Sequence, residues 1–158
     1  MKTSIKIVIL LGIVLSLSAT VFAATDDGWE MSLTVAVGKA ENRVSFGQRP
    51  DATDGVDGKY DVPPMLGGVM SAELTGGGAS LWRDIRSIDS GEKTWTLQIE
   101  SELTGETATL TWNPKAIPDG VALMLNDPSS TTAVDMKTQG QYSFKYVAVK
   151  ELKIEMKK

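Results

Sequence analysis

The side chains that enzymes most often use for acid–base or nucleophilic work are missing from this 158-residue chain, which has no histidine and no cysteine. Ser-His-Asp and Cys-His catalysis are thereby excluded, as are the usual zinc, copper, haem and iron–sulfur sites. Gly76-Gly77-Gly78 leads into Ala79-Ser80-Leu81 and not into Gly-Lys-Ser/Thr, so it is no phosphate loop. Acidic residues abound, which leaves carboxylate-pair chemistry formally open. That chemistry needs a deep cleft, and a small fold of short strands offers little of one. No residue is assigned a catalytic role, and the chain reads as a non-enzyme.

Two constellations remain. Asp51, Asp54, Asp57 and Asp61 fall within eleven residues, spaced by Gly55 and Gly58. Such a run can converge on a hard cation such as calcium, which takes about six to eight oxygens. It lacks the D-x-[DN]-x-[DN]-G spacing and terminal glutamate of an EF-hand, and the same aspartates can instead cap nearby backbone amides. The second constellation is Trp82 with Arg83 and Arg86. An exposed tryptophan among charged residues can stack on a sugar ring; it can equally be a strand residue covered by an arginine. Asp84, between the two arginines, is expected to form a local ion pair, small in energy at an exposed site. Trp29, Trp95 and Trp112 sit in phase with apolar neighbours and read as core.

Period-two alternation must position these groups. Trp29, Met31, Leu33, Val35 and Val37 fall on one side of a strand, with Glu30, Ser32 and Thr34 on the other. The same pattern recurs as Trp95, Leu97, Ile99, then Ala108, Leu110, Trp112, then Tyr142, Phe144, Tyr146, then Leu152, Ile154, Met156. Alternation of this kind puts one face on a core and the other in water. Weaker strand signals cover 43–47, 69–74, 80–85, 121–126 and 131–136. Turn chemistry separates the runs: Ser90-Gly91, Thr104-Gly105, Pro118-Asp119-Gly120, Asp127-Pro128 and Gln139-Gly140. Many short strands about ten residues apart predict an all-β, antiparallel β-sandwich. Residues 47–68, rich in Asp, Gly and Pro, interrupt the pattern as a long acidic loop, and loops of that length are usually functional or disordered.

The first residues indicate export. Lys2 and Lys6 precede an apolar run from Ile7 to Leu17, and Val21-Phe22-Ala23 offers small residues to a signal peptidase. Residues 1–23 are thus expected to be a signal peptide, leaving 24–158 as one domain. The run falls short of the roughly 20 apolar residues of a bilayer span, so no membrane span is expected after cleavage. A chain of this length buries roughly two-thirds of its unfolded surface, so it needs no disulfide. The formal net charge is −4, and loss of Lys2 and Lys6 makes the processed chain more acidic. Nucleic acid is therefore not an expected partner. Lysines gather near the end at Lys145, Lys150, Lys153, Lys157 and Lys158, and read as a solvated strand edge guarded against aggregation.

From Lys93 to Met156, the segments TWTLQIES, TATLTWN, PDG, VALMLND, YSFKY and ELKIEM resemble the immunoglobulin-like and fibronectin type III-like modules of bacterial secreted and cell-surface proteins. The resemblance implies a tryptophan strand and a late aromatic strand, filled here by Trp95, Trp112 and Tyr142. The first half looks like the stretch preceding such a sandwich in exported multidomain proteins. Together these readings predict a secreted structural or adhesive module, periplasmic or extracellular. Its partner would be another envelope or extracellular protein, or a polysaccharide. The alternative is a small carbohydrate-binding protein stabilised by calcium.

Overall fold

The computed structural model describes residues 28–65, 67–76, 78–89 and 91–157. The expected signal peptide therefore lies outside the described residues. The strands, in chain order, are β1 (Trp29–Val37), β2 (Ala40–Arg49), β3 (Met70–Gly76), β4 (Ala79–Leu81), β5 (Arg83–Ser87) and β6 (Lys93–Ser101). They continue as β7 (Thr107–Trp112), β8 (Ala122–Asp127), β9 (Thr132–Asp135), β10 (Gln141–Lys145) and β11 (Lys150–Lys157). A single 3-10 turn, Pro114–Ala116, is the one helical element among the described residues, and Asn113 caps it through its side chain. No described helix is long and apolar enough to cross a membrane.

Two sheets result: a five-stranded one ordered β10-β7-β1-β2-β5 and a six-stranded one ordered β4-β3-β6-β11-β8-β9. Both feed one core. Leu33, Val35 and Leu110 come from the first sheet, Leu97, Ile99, Leu152 and Ile154 from the second, and all are fully buried. Each such side chain contributes roughly 1.5–3 kcal/mol on burial. A one-residue slip would turn the whole set to solvent, so alternation fixes register as well as face. The β1–β2 hairpin closes through Gly38-Lys39. Gly38, at φ 58°, supplies the left-handed first position that a two-residue hairpin of this twist requires.

An aromatic group centres the core. Trp95 packs at ring-centroid distances of 6.2 Å from Trp29 and 5.1 Å from Phe46, while Trp29 and Phe46 meet edge-on at 6.0 Å. Trp112 donates its indole N–H to the Met136 carbonyl at 2.9 Å. Tyr142 and Phe144 are half-buried, whereas Tyr146, in phase with them, is wholly buried and its hydroxyl accepts the Ser101 amide at 2.8 Å.

The structure revises several expectations. Four of the five weaker strand signals become single strands, while 80–85 splits at Trp82 into β4 and β5 of opposite sheets; β2 extends through Arg49, so the acidic connection occupies 50–69. The sheets are not wholly antiparallel, since β2 and β5 run parallel. Parallel neighbours need a long crossover, and here the chain visits β3 and β4 of the opposite sheet before returning. The first half is no preamble either: β1 lies between β2 and β7, and β3 pairs with β6, so both halves share both sheets. The lysine-rich end is likewise misjudged as an edge. β11 is an interior strand between β6 and β8, and only Lys145 lies on an edge strand. There Leu152, Ile154 and Met156 face the core, while Lys153 and Lys157 reach water from the outer face.

Candidate functional site

The four aspartates of the acidic segment do not converge. Asp51 accepts bonds from Lys59 Nζ and the Tyr60 hydroxyl, which hold its carboxyl down at about 2. Asp57 Oδ1 accepts the Lys59 amide at 2.9 Å, a local turn cap. Asp61 is buried; its two oxygens accept the Ile85 amide at 2.9 Å and the Asp57 amide at 2.6 Å. Asp54 accepts the Ser87 amide at 3.2 Å and the Lys93 ammonium. Among the described residues, no group of three or more acidic side chains is placed to hold a metal ion. The geometry matches amide capping.

Two of them, Asp54 and Asp61, cap an edge. β5 is the last strand of its sheet, and Arg83, Ile85 and Ser87 alternate along it. The amide of Arg83 bonds to the Val62 carbonyl at 3.3 Å, that of Ile85 to Asp61, and that of Ser87 to Asp54. Val62 also donates its own amide to the Arg83 carbonyl at 3.0 Å. The acidic loop thus replaces the neighbouring strand that β5 lacks, with carboxylates standing in for carbonyls. An unpaired strand edge invites pairing with other chains, and covering it is a recurring protection. Ala52 and Ile85, both buried but outside the main core cluster, are sealed beneath this cover.

Trp82 is no open platform. It lies at the crossover from β4 to β5, half-buried and packed against the core, along a groove of about 500 Å³ that Asn42, Met65, Val69 and Met70 help to line. Its indole N–H is buried and has no hydrogen-bond partner. The two arginines predicted beside it turn elsewhere. Arg83 forks onto Glu30, Nε to Oε1 at 2.8 Å and Nη2 to Oε2 at 2.6 Å, and gives its third bond to the Tyr60 carbonyl at 2.7 Å. That fork holds the Glu30 carboxyl below its ordinary range, against the opposing effect of burial. Arg86 pairs with Asp84 at 2.9 Å, bonds the Thr94 carbonyl at 2.8 Å, and lies 5.2 Å from the Trp95 ring. The Asp84–Arg86 pair is therefore buried, not exposed as expected. Gly76 makes room for it: a Cβ there would stand 2.5 Å from Arg86 Nη2.

No protein family, curated protein or solved structure matches this chain. Its function has to be read from its own geometry, including two features that sequence reasoning passed over. Asp127, Tyr142, Ser129 and Lys150 join the edge of the five-stranded sheet to its partner. Lys150 Nζ stands 2.7 Å from Asp127 Oδ1, and the Tyr142 hydroxyl donates to Oδ2 at 2.8 Å. Burial pushes the Asp127 carboxyl up, but the bonds from Lys150, Tyr142 and Ser129 outweigh it and hold it well below the usual carboxylate range. A carboxylate so fully satisfied is a clasp, not a proton shuttle. Only the Tyr142 alternation was visible in sequence; Asp127, which it meets, lies 15 residues away in the chain and on the other sheet.

The second feature is one end of the sandwich. Val69 caps the β6–β7 turn by accepting from the Glu102 amide and the Ser101 hydroxyl. Tyr146 ties in the β10–β11 connection through Ser101 and Gly105. On these fastened loops Met65, Val69, Val147 and Val149 expose 75%, 49%, 72% and 57% of their surface. Exposed valines in short connections carry no periodicity, so sequence gives no sign of their shared location.

Proposed function

We propose that this chain is a secreted, non-catalytic structural or adhesive module of the bacterial envelope or exterior, built on an immunoglobulin-like sandwich. The supporting observation is the end that displays Met65, Val69, Val147 and Val149 on loops bonded to a rigid frame. Apolar side chains left in water on well-anchored loops favour contact with a partner. Elsewhere in the fold the carboxylates of Glu30, Asp54, Asp61, Asp84 and Asp127 are each engaged by protein donors. The partner is another envelope or extracellular protein, and the mechanism is display. Photocrosslinking residues placed at 147 and at Gln98, on the outer face of β6, test it in cells. Adducts with envelope components from 147 and not from 98 support the reading. Adducts from neither, or equally from both, overturn it.

A second reading, a small carbohydrate-binding protein, is favoured by the groove that Trp82 lines. Trp82→Ala removes the ring from that groove, so polysaccharide binding on a glycan array should weaken with it. Binding that is absent from the unaltered protein, or unchanged in Trp82→Ala, eliminates this reading.

A further inference from the structure

Four strands end the two sheets, and three of them are blunted. β4 has three residues and β9 four, while β5 has its outward amides taken by Val62, Asp61 and Asp54. β10 is different. Its inner side pairs with β7 throughout, and no described residue pairs with its outer side. The phase of that ladder is fixed at both ends: Trp112 donates to the Gly140 carbonyl at 3.0 Å, and Tyr146 to the Glu106 carbonyl at 2.9 Å. Even-numbered residues therefore bond to β7, and Gln141, Ser143 and Lys145 turn their N–H and C=O groups outward.

We propose that β10 is a pairing edge for a second copy of this chain, the two strands running antiparallel about a two-fold axis at Ser143. The inference goes beyond display at the loop end and stands without it. In this register Ser143 faces its own counterpart, Gln141 faces Lys145, and Tyr142 faces Phe144. The outward backbone groups match, giving about six new hydrogen bonds. No like charges stand opposite one another, whereas a shift that set Lys145 against its counterpart would oppose two ammonium groups. The side-chain pairs extend what the sheet already contains. Its outer face holds hydroxyl pairs at Ser32–Ser45, 2.9 Å, and Thr109–Ser143, 3.0 Å, and the new axis adds a third. Beneath, Tyr142 and Phe144 already lie 5.7 Å apart and half-buried, and the second copy covers them with the same two rings. A self-complementary edge of this kind generates a closed dimer and stops there.

Five paired residues make a small interface, so the dimer is weak and concentration-dependent. Sedimentation velocity of the protein recovered after export, from about 10 μM to about 1 mM, reads it directly. The unaltered protein is expected to shift from monomer toward dimer across that range. Ser143→Pro removes one outward N–H at an edge that tolerates proline, and Ser143→Lys sets two ammonium groups face to face. Each is expected to stay monomeric with its circular-dichroism spectrum intact. Mixing Ser143→Lys with Ser143→Glu should restore dimers, because the two-fold register opposes these charges. A monomer throughout for the unaltered protein overturns the proposal, as does a dimer indifferent to Ser143→Pro or a mixture that stays monomeric.

Discussion

Asp127 carries the clearest pH dependence at the level of single residues. Its folded carboxyl titrates below the unfolded value of about 4, so in acid the unfolded chain binds the proton more readily. The stability it contributes is complete above that unfolded value and drains away as pH falls through the folded one. Asp127→Asn should cost about 2–3 kcal/mol at neutral pH, since it leaves the Lys150 charge without its partner. Its melting midpoint should then fall less steeply than that of the unaltered protein below about pH 4. The Arg83–Glu30 fork is more exposed and worth less. A double-mutant cycle with Arg83→Ala and Glu30→Ala should return a coupling of about 1 kcal/mol, and raised salt should reduce it. Neither pair was legible beforehand. Glu30 and Arg83 are 53 residues apart, a separation over which sequence gives no sign of pairing.

At the level of elements, the acidic segment was recognised by composition and its chemistry by residue type. Carboxylates dense among glycines accept hydrogen bonds wherever they find donors, and the sequence allowed either cations or amides in that role. The choice depended on what lay beneath. β5 needed acceptors along its open side, and Asp54 and Asp61 came within reach because β2 and β5 run parallel. Asp61→Ala should leave the Ile85 and Asp57 amides without acceptors, at a cost of about 2 kcal/mol. Hydrogen exchange at the Ile85 amide should accelerate, and residues 50–64 should become sensitive to protease. With its four aspartates committed to separate protein donors, the loop is expected to be indifferent to calcium. Melting midpoints in millimolar calcium and in chelator should agree, and a rise with calcium would refute the capping account.

On the scale of the whole molecule, the sandwich depends on a few large side chains and on the protection of its edges. Trp95, fully buried against Trp29 and Phe46, is the largest of them. Trp95→Ala should cost about 3–5 kcal/mol by denaturant titration. Edge protection is separable from that stability. Replacing residues 51–61 by a short glycine–serine linker should uncover Ile85 and the outward amides of β5. The expected result is aggregation at concentrations where the unaltered protein is soluble, measured by light scattering, ahead of any large change in spectrum.

Local chemistry by itself determined that the chain is made of strands, which side chains face inward, and where the turns fall. Alternation and turn propensity act over a few residues, so a short window contains them. It also determined which chemistries are absent, because a residue type that is missing cannot be supplied by folding. Strand order was decided only in three dimensions: the interior place of β11, the parallel pair, the capped edge at β5 and the open one at β10. Those depend on which strands meet, and hydrophobic alternation is the same for an edge strand as for a central one.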